Sequence, residues 1–294
     1  MSQSIRGVGA LFLVTLIWAF SFGLIQKYLS GIDPFLLGGV RLLIAGICFL
    51  PFLRLGGISM KQRTELALIG TVQFGVMYVG YLSAFQFLEG WQIALFSVFT
   101  PIWVALIDAA IRRKLAWRFL GAAALSIAGA ICIRADGFPK DQFLIGFLLM
   151  QISNFAFAAG QVWFREWKFR NRETSEKQIF ALLYLGAFVF VGLAGWVTGA
   201  FQTLPQFSPD QWTTLIYLGA VASGLGFFLW NYGSSRVSAG FLAAANNLVV
   251  PLGVIVAVLL NKSQPDWVTL VIGSSLIAAS LCVGAKQRES SAKA

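Results

Sequence analysis

The sequence predicts an all-α membrane protein of ten transmembrane helices, arranged as two inverted five-helix repeats. Three observations predict it. Of the 294 residues, 58% are apolar or aromatic and only 12% charged, whereas about a quarter of the residues in soluble domains are charged. The apolar residues gather into ten stretches, each close to the roughly 20 residues that a bilayer span needs. The second half also repeats features of the first at a fixed offset.

The spans follow in order. Residues 8–26 form an apolar run with no small-x-small cleavage site before Gln26 and Lys27, so they predict a helix rather than a signal peptide. This span carries Thr15, Trp18 and Ser21 at intervals of three. Span 34–53 opens on Pro34 and contains Arg41, the one ionisable residue well inside a span. Span 66–87 carries Gln73, Tyr78 and Tyr81, and span 92–111 contains Ser97, Pro101 and, near its end, Asp108. Asp108 stands one turn from Arg112, the spacing of a local ion pair. Span 116–133 includes GAAALSIAGA, and span 267–285 includes GSSLIAASL. Small residues at three- and four-residue spacing favour close backbone packing, which makes these two spans scaffold and leaves a monomer or a homodimer as the expected states. Span 143–163 sets Asn154, Ala158 and Gln161 on one face, followed by Trp163. Span 179–199 is apolar, span 212–232 holds Ser223, Trp230, Asn231 and Tyr232, and span 238–260 holds Asn246 and Asn247 one turn before Pro251.

The charge pattern orients the bundle. Seventeen of the 22 Lys and Arg fall on connections sharing the side of the N-terminus, and four, Lys27, Arg134, Lys140 and Lys262, on the other. Basic loops face the cytoplasm, so both termini are expected there, in a multi-pass protein of the bacterial inner membrane. The net charge of +10 is therefore a topology signal, and nucleic acid is excluded as a partner. No histidine exists, and Cys48, Cys132 and Cys282 all fall within spans, so neither a metal site nor a cofactor is expected. No span pairs a nucleophile with a base or sets two acids together; an enzyme is not expected.

A shift of 150 residues aligns Gly90 with Gly240, Pro101 with Pro251 and Trp117 with Trp267, and a shift of 137 aligns Gly9, Ala19 and Gly23 with Gly146, Ala156 and Gly160. The units are 1–139 and 140–294. Five spans in each is an odd number, so the second unit enters the membrane from the opposite side. Inverted repeats build many carriers that bind substrate near the midplane, where the halves meet.

A polar group in hydrocarbon needs a partner, and an ionisable one suggests function. Arg41 lies seven residues into its span, about 10 Å deep at the helical rise. It either faces a water-filled vestibule and pairs with a substrate carboxylate or a backbone carbonyl, or snorkels outward or ties its helix to a neighbour. The candidate pathway comprises Trp18, Ser21, Tyr78, Tyr81, Ser97, Asn154, Gln161, Trp163, Trp230, Asn246 and Asn247, because aromatic faces joined by amides and hydroxyls suit a partly apolar solute. Pro101 and Pro251 each deny the carbonyl four residues upstream, of Ser97 and Asn247, its helical partner, and are the expected hinges. With no acid at the centre of a span and no histidine to relay a proton, facilitated rather than proton-driven flux is expected.

The run WAFSF at 18–22, with Lys27, Pro34 and Arg41 and the echo of Ala94 and Pro101 in Ala244 and Pro251, resembles the EamA unit of the drug/metabolite transporter superfamily across both halves. The resemblance implies a ten-helix carrier exporting small molecules, most similar to exporters of aromatic and other hydrophobic amino acids. Other metabolites or drugs such as nucleobases and cations are the alternative cargo, and lipid handling is a further one. Many such units carry a glutamate about a dozen residues after the proline. Here Arg112, Arg113 and Lys114 follow Pro101, and Asn261 and Lys262 follow Pro251, so a mechanism resting on that glutamate does not transfer.

Overall fold

The computed structural model describes residues 3–111, 140–202, 204–237, 239–262, 264 and 266–285, and within 112–139 only Gly121, Ala124, Leu125, Ala128, Gly129 and Cys132. The described chain runs through α1 (Gln3–Leu29), α2 (Pro34–Phe52), α3 (Met60–Ala84), α4 (Gly90–Ile111), α5 (Lys140–Arg170), α6 (Glu176–Val197), α7 (Pro209–Ser234), α8 (Ala239–Asn261) and α9 (Trp267–Ala285). Seven of these, α1 to α7, are long and apolar enough to cross a bilayer. Most of the expected span at 116–133 lies outside the described residues, as does the expected Asp108–Arg112 pair at its Arg112 end.

Helix starts follow local chemistry. The Asp33 carboxylate accepts from the amides of Phe35 at 2.8 Å and Leu36 at 3.3 Å, and Pro34 fills the first helical position, where a missing amide is harmless. α3 and α7 open on the same device, a reciprocal box between Ser59 and Gln62 and between Ser208 and Gln211, which satisfies two orphan amides at once. Each of these two helices then widens into a π-helical stretch, Thr71–Val76 in α3 and Tyr217–Leu225 in α7. α5 is longer than expected, running to Arg170 and carrying its basic last turn clear of the apolar stretch.

The outside of the bundle is apolar where lipid is its solvent. Phe12, Leu16 and Phe20 form an exposed stripe one turn apart along α1, the reverse of a soluble surface helix. Inside, α1 packs along α8, α2 along α6 and the π stretch of α7, and α3 against α5 and α6. Glycines set how closely these helices approach. A methyl group at Gly70 would overlap the Leu183 carbonyl, and one at Gly186 would overlap the Ala67 carbonyl, so α3 and α6 touch backbone to backbone. Such contact is the main source of helix association where the surrounding lipid offers no hydrophobic drive.

Candidate functional site

A cavity of about 100 Å³ lies between α1, α2, α3, α4, α5, α7 and α8. Tyr81, three residues from the end of α3, and Ser97, seven residues into α4, both line it. These positions place the cavity in the half of the bundle remote from the N-terminus. Its wall is mostly aromatic and thioether, with Trp18, Tyr78, Tyr81, Phe157, Met77 and Met150 among its residues; the polar lining comes from Ser21, Arg41, Ser97, Thr100, Ser153 and Asn154.

Arg41 is 3% exposed, and its guanidinium lies 4.4 Å from the centre of the Tyr78 ring. Its Nε donates to Ser223 Oγ at 3.3 Å. The Ser223 hydroxyl donates in turn to the Leu218 carbonyl at 2.5 Å. A hydroxyl has a single hydrogen and two lone pairs, so the 2.6 Å contact between Tyr78 and Ser223 has Tyr78 as its donor. Ser223 is then saturated, and Arg41 Nη1 remains a buried donor with no protein partner. Arg41 thus ties α2 to α7 and also lines the cavity.

The π stretch of α7 makes this arrangement possible. Widening the turn turns carbonyls away from their usual amides, and the neighbours take them: Ser223 takes Leu218, Trp18 Nε1 takes Ala222 at 2.8 Å, and the Tyr184 hydroxyl takes Ser223 at 2.8 Å and Gly224 at 2.9 Å. α1, α2, α3 and α6 are thereby all docked on one segment of α7. The π stretch of α3 serves a second polar lock, in which Gln73 and Asn231, both fully buried, exchange amide hydrogen bonds at 3.0 and 3.3 Å.

Pro101 behaves differently from the simple expectation. The helix tightens to a 3-10 turn over Ser97–Phe99, and the Thr100 amide bonds the Ser97 carbonyl. The carbonyl released is that of Phe96, which accepts from Asn154 Nδ2 at 2.8 Å, while Thr100 Oγ1 donates to Asn154 Oδ1 at 3.1 Å. The Ser97 hydroxyl bonds back to Ala94 at 2.6 Å. Ser21, 5% exposed, has an unpartnered hydroxyl, the second such buried group on the cavity wall after Arg41.

Several expected pathway residues stand elsewhere. Trp230 and Gln161 bond each other at 2.9 Å, and Trp230 packs 5.0 Å from Trp18, so the pair lies behind the cavity on the N-terminal side. Trp163 donates to Glu65 at 2.9 Å, and Glu65 also pairs with Arg170 at 2.6 Å; the extra turns of α5 bring Arg170 to this glutamate, so the tryptophan ends in an ionic network. Pro251 is exposed on α8. Asn246 and Asn247 lie on the α8 backbone, and their side chains lie outside the described residues. Sequence reasoning named Ser223 among the polar groups of its span without placing it in the pathway, and it overlooked Tyr184.

A second ionic cluster closes the N-terminal end. Glu176, 7% exposed, accepts from Arg236 at 2.8 Å and lies 3.9 Å from Lys168, and Arg236 packs beside Gly7 of α1. Removing one partner strands the other's charge. Glu176→Leu is therefore expected to lower stability by about 2 kcal/mol, discounted for the partial exposure of Arg236, and Glu176→Leu combined with Arg236→Met to recover most of it, as read by thermal unfolding in detergent. Among the described residues no cluster of His, Cys, Asp and Glu could hold a metal.

Comparison with known proteins adds the family and its relatives. The EamA-like transporter family model matches twice, over residues 5–135 and 144–284. The chain is 40% identical to the biotin transporter of Escherichia coli (strain K12) over 278 residues, 94% of this chain and 92% of that one. It is 39% identical to a probable biotin transporter of Pseudomonas aeruginosa over 277 residues, 93% of this chain and 96% of that one. These names differ from the amino acid exporters that the sequence motifs suggested. A solved crystal structure matches with a TM-score of 0.67 at 18% identity, covering 96% of this chain and 97% of that one, which shows a shared fold.

Proposed function

The chain belongs to the EamA-like transporter family, a multi-pass membrane transporter of a small molecule and not an enzyme, and from that premise we propose that it carries biotin across the bacterial inner membrane through the cavity at Arg41. The observation that carries the reading is the buried guanidinium with one free donor, set in an aromatic wall that contains no acidic residue among the described residues. Biotin is a carboxylate on an apolar chain that ends in fused rings with a ureido group. The carboxylate pairs with Arg41 Nη1, since charge-assisted bonds of this kind are the strong ones. The chain and thioether ring lie against Tyr81 and Phe157. The Ser21 hydroxyl, able both to donate and to accept, meets the ureido group. The names borne by relatives of about 40% identity over 94% of the chain support the same cargo.

The architecture proposed is ten spans in two inverted units, 1–139 and 140–294, with both termini in the cytoplasm. The matching capping boxes and π stretches of α3 and α7, the third span of each unit, support it. The flux proposed is facilitative, its direction set by the gradient, since the chain has no histidine and no acid lines the cavity among the described residues. Paired flexing at Pro101 and Pro251 remains part of the proposal. Amino acid export is the second reading, favoured by the aromatic wall, which accepts an ammonium group through its ring faces; it lacks a carboxylate to pair with that ammonium.

The test is flux in proteoliposomes. Labelled biotin should enter protein-containing vesicles faster than protein-free ones, and phenylalanine, threonine and methionine should enter more slowly than biotin. Equal biotin entry with and without protein would sink the reading. Ser21→Ala separates the two ends of the ligand: about a fivefold rise in KM is expected for biotin and desthiobiotin, from one lost hydrogen bond of about 1 kcal/mol, with lipoate, a carboxylate lacking the ureido group, unaffected.

A further inference from the structure

The guanidinium of Arg41 raises a question about the return step. A cation held in low dielectric without a counter-charge carries a penalty of several kcal/mol even after relaxation. The Tyr78 face and the Ser223 oxygen offset part of it; a cation over a desolvated ring gains about 2 kcal/mol. Neither supplies negative charge. Among the described residues Asp and Glu are absent from the cavity wall, and the ion pairs of Glu65 and Glu176 lie at the other end of the bundle. While a carboxylate is bound, the pair is neutral. Once it leaves, a carrier that must pass through an occluded state takes an uncompensated charge with it, and water brings no charge to cancel it.

We infer that a small inorganic anion, chloride, takes the carboxylate's place on Arg41 whenever the substrate is absent, so that chloride and substrate compete for one site. This rests on the reading of Arg41 as a carboxylate site. Arg41 and Ser21, 3% and 5% exposed, both line the cavity, and each carries a buried donor without a protein partner, Nη1 and the hydroxyl. A volume of about 100 Å³ admits an ion together with water, since a single water needs only about 10–15 Å³ on that measure.

The experiment uses the purified full chain, with chloride exchanged at constant ionic strength for gluconate, whose chain of hydroxyls would lose its water against an aromatic wall that cannot satisfy it. In vesicles of wild-type protein the KM for biotin should be about threefold higher in chloride, as competition for one site requires, while kcat should be no lower in chloride than in gluconate, because the anion neutralises Arg41 on the return step. In substrate-free detergent solution chloride should raise the unfolding midpoint saturably in wild type and in Arg41→Lys, and leave Arg41→Gln unmoved. A KM for biotin that is the same in both salts overturns the chloride site while leaving biotin transport standing. Chloride stabilisation that persists in Arg41→Gln overturns it equally. Chloride stabilisation that needs Arg41, in a protein that moves no biotin, supports the anion site and removes the biotin reading. If Arg41→Gln does not fold, the wild-type comparison of KM in the two salts decides the matter alone.

Discussion

Arg41→Gln is expected to raise the KM for biotin about 10- to 100-fold, because a buried charged hydrogen bond contributes about 1.5–3 kcal/mol. Glutamine keeps a donor that can reach Ser223, so the helix tie between α2 and α7 survives and the loss falls on the anion. Arg41→Lys is expected to fall between wild type and Arg41→Gln. A lysine ammonium keeps the charge but lacks the planar fork, and it cannot hold Ser223 with one nitrogen while presenting another to the cavity. Uptake kinetics across a range of biotin concentrations check both variants, with protein per vesicle quantified to separate binding from yield.

Gly70→Ala is expected to be the most damaging small substitution in the bundle. The added methyl meets the Leu183 backbone carbonyl, and backbone cannot rotate aside as a side chain does. Overpacking usually costs about 1–3 kcal/mol; the loss here should exceed that range, with α3 and α6 forced apart. Those two helices bring Tyr78 and Tyr184 to Ser223, so transport should fail along with stability. Gly46→Ala is the control, since a methyl there would find only Tyr184 Cβ at 3.6 Å, an ordinary contact. Unfolding midpoints in detergent should drop sharply for the first and hardly at all for the second.

Much of the bundle is legible in the sequence because bilayer thickness imposes length. The expected span 34–53 and the observed α2 (Pro34–Phe52) differ by a residue, since a proline and an aspartate cap mark the start. Arg41 stands out for the same reason: an ionisable residue in hydrocarbon is an anomaly that composition alone exposes. What surrounds it is less visible. A π stretch leaves no mark on hydrophobic periodicity, so the exposure of the carbonyls of Leu218, Ala222, Ser223 and Gly224 could not be foreseen, nor the role of Ser223 in fixing the guanidinium. Trp163 shows the opposite failure. Its residue type suits a pathway, but it stands at the end of the apolar run, where Glu65 of α3 claims its indole. At Pro101 the sequence shows which amide is missing but not which carbonyl goes free, because a 3-10 turn passes the deficit from Ser97 to Phe96, where Asn154 meets it.

The most direct measurement of the central claim, that Arg41 binds a carboxylate in this cavity, is the uptake of biotin against that of its alcohol, in wild type and in Arg41→Gln. The alcohol keeps the ring system and the chain and loses only the charge. Wild type should prefer biotin by at least about tenfold, as the loss of about 1.4 kcal/mol implies, and Arg41→Gln should transport the two alike. An undiminished preference for the carboxylate in Arg41→Gln would contradict the account.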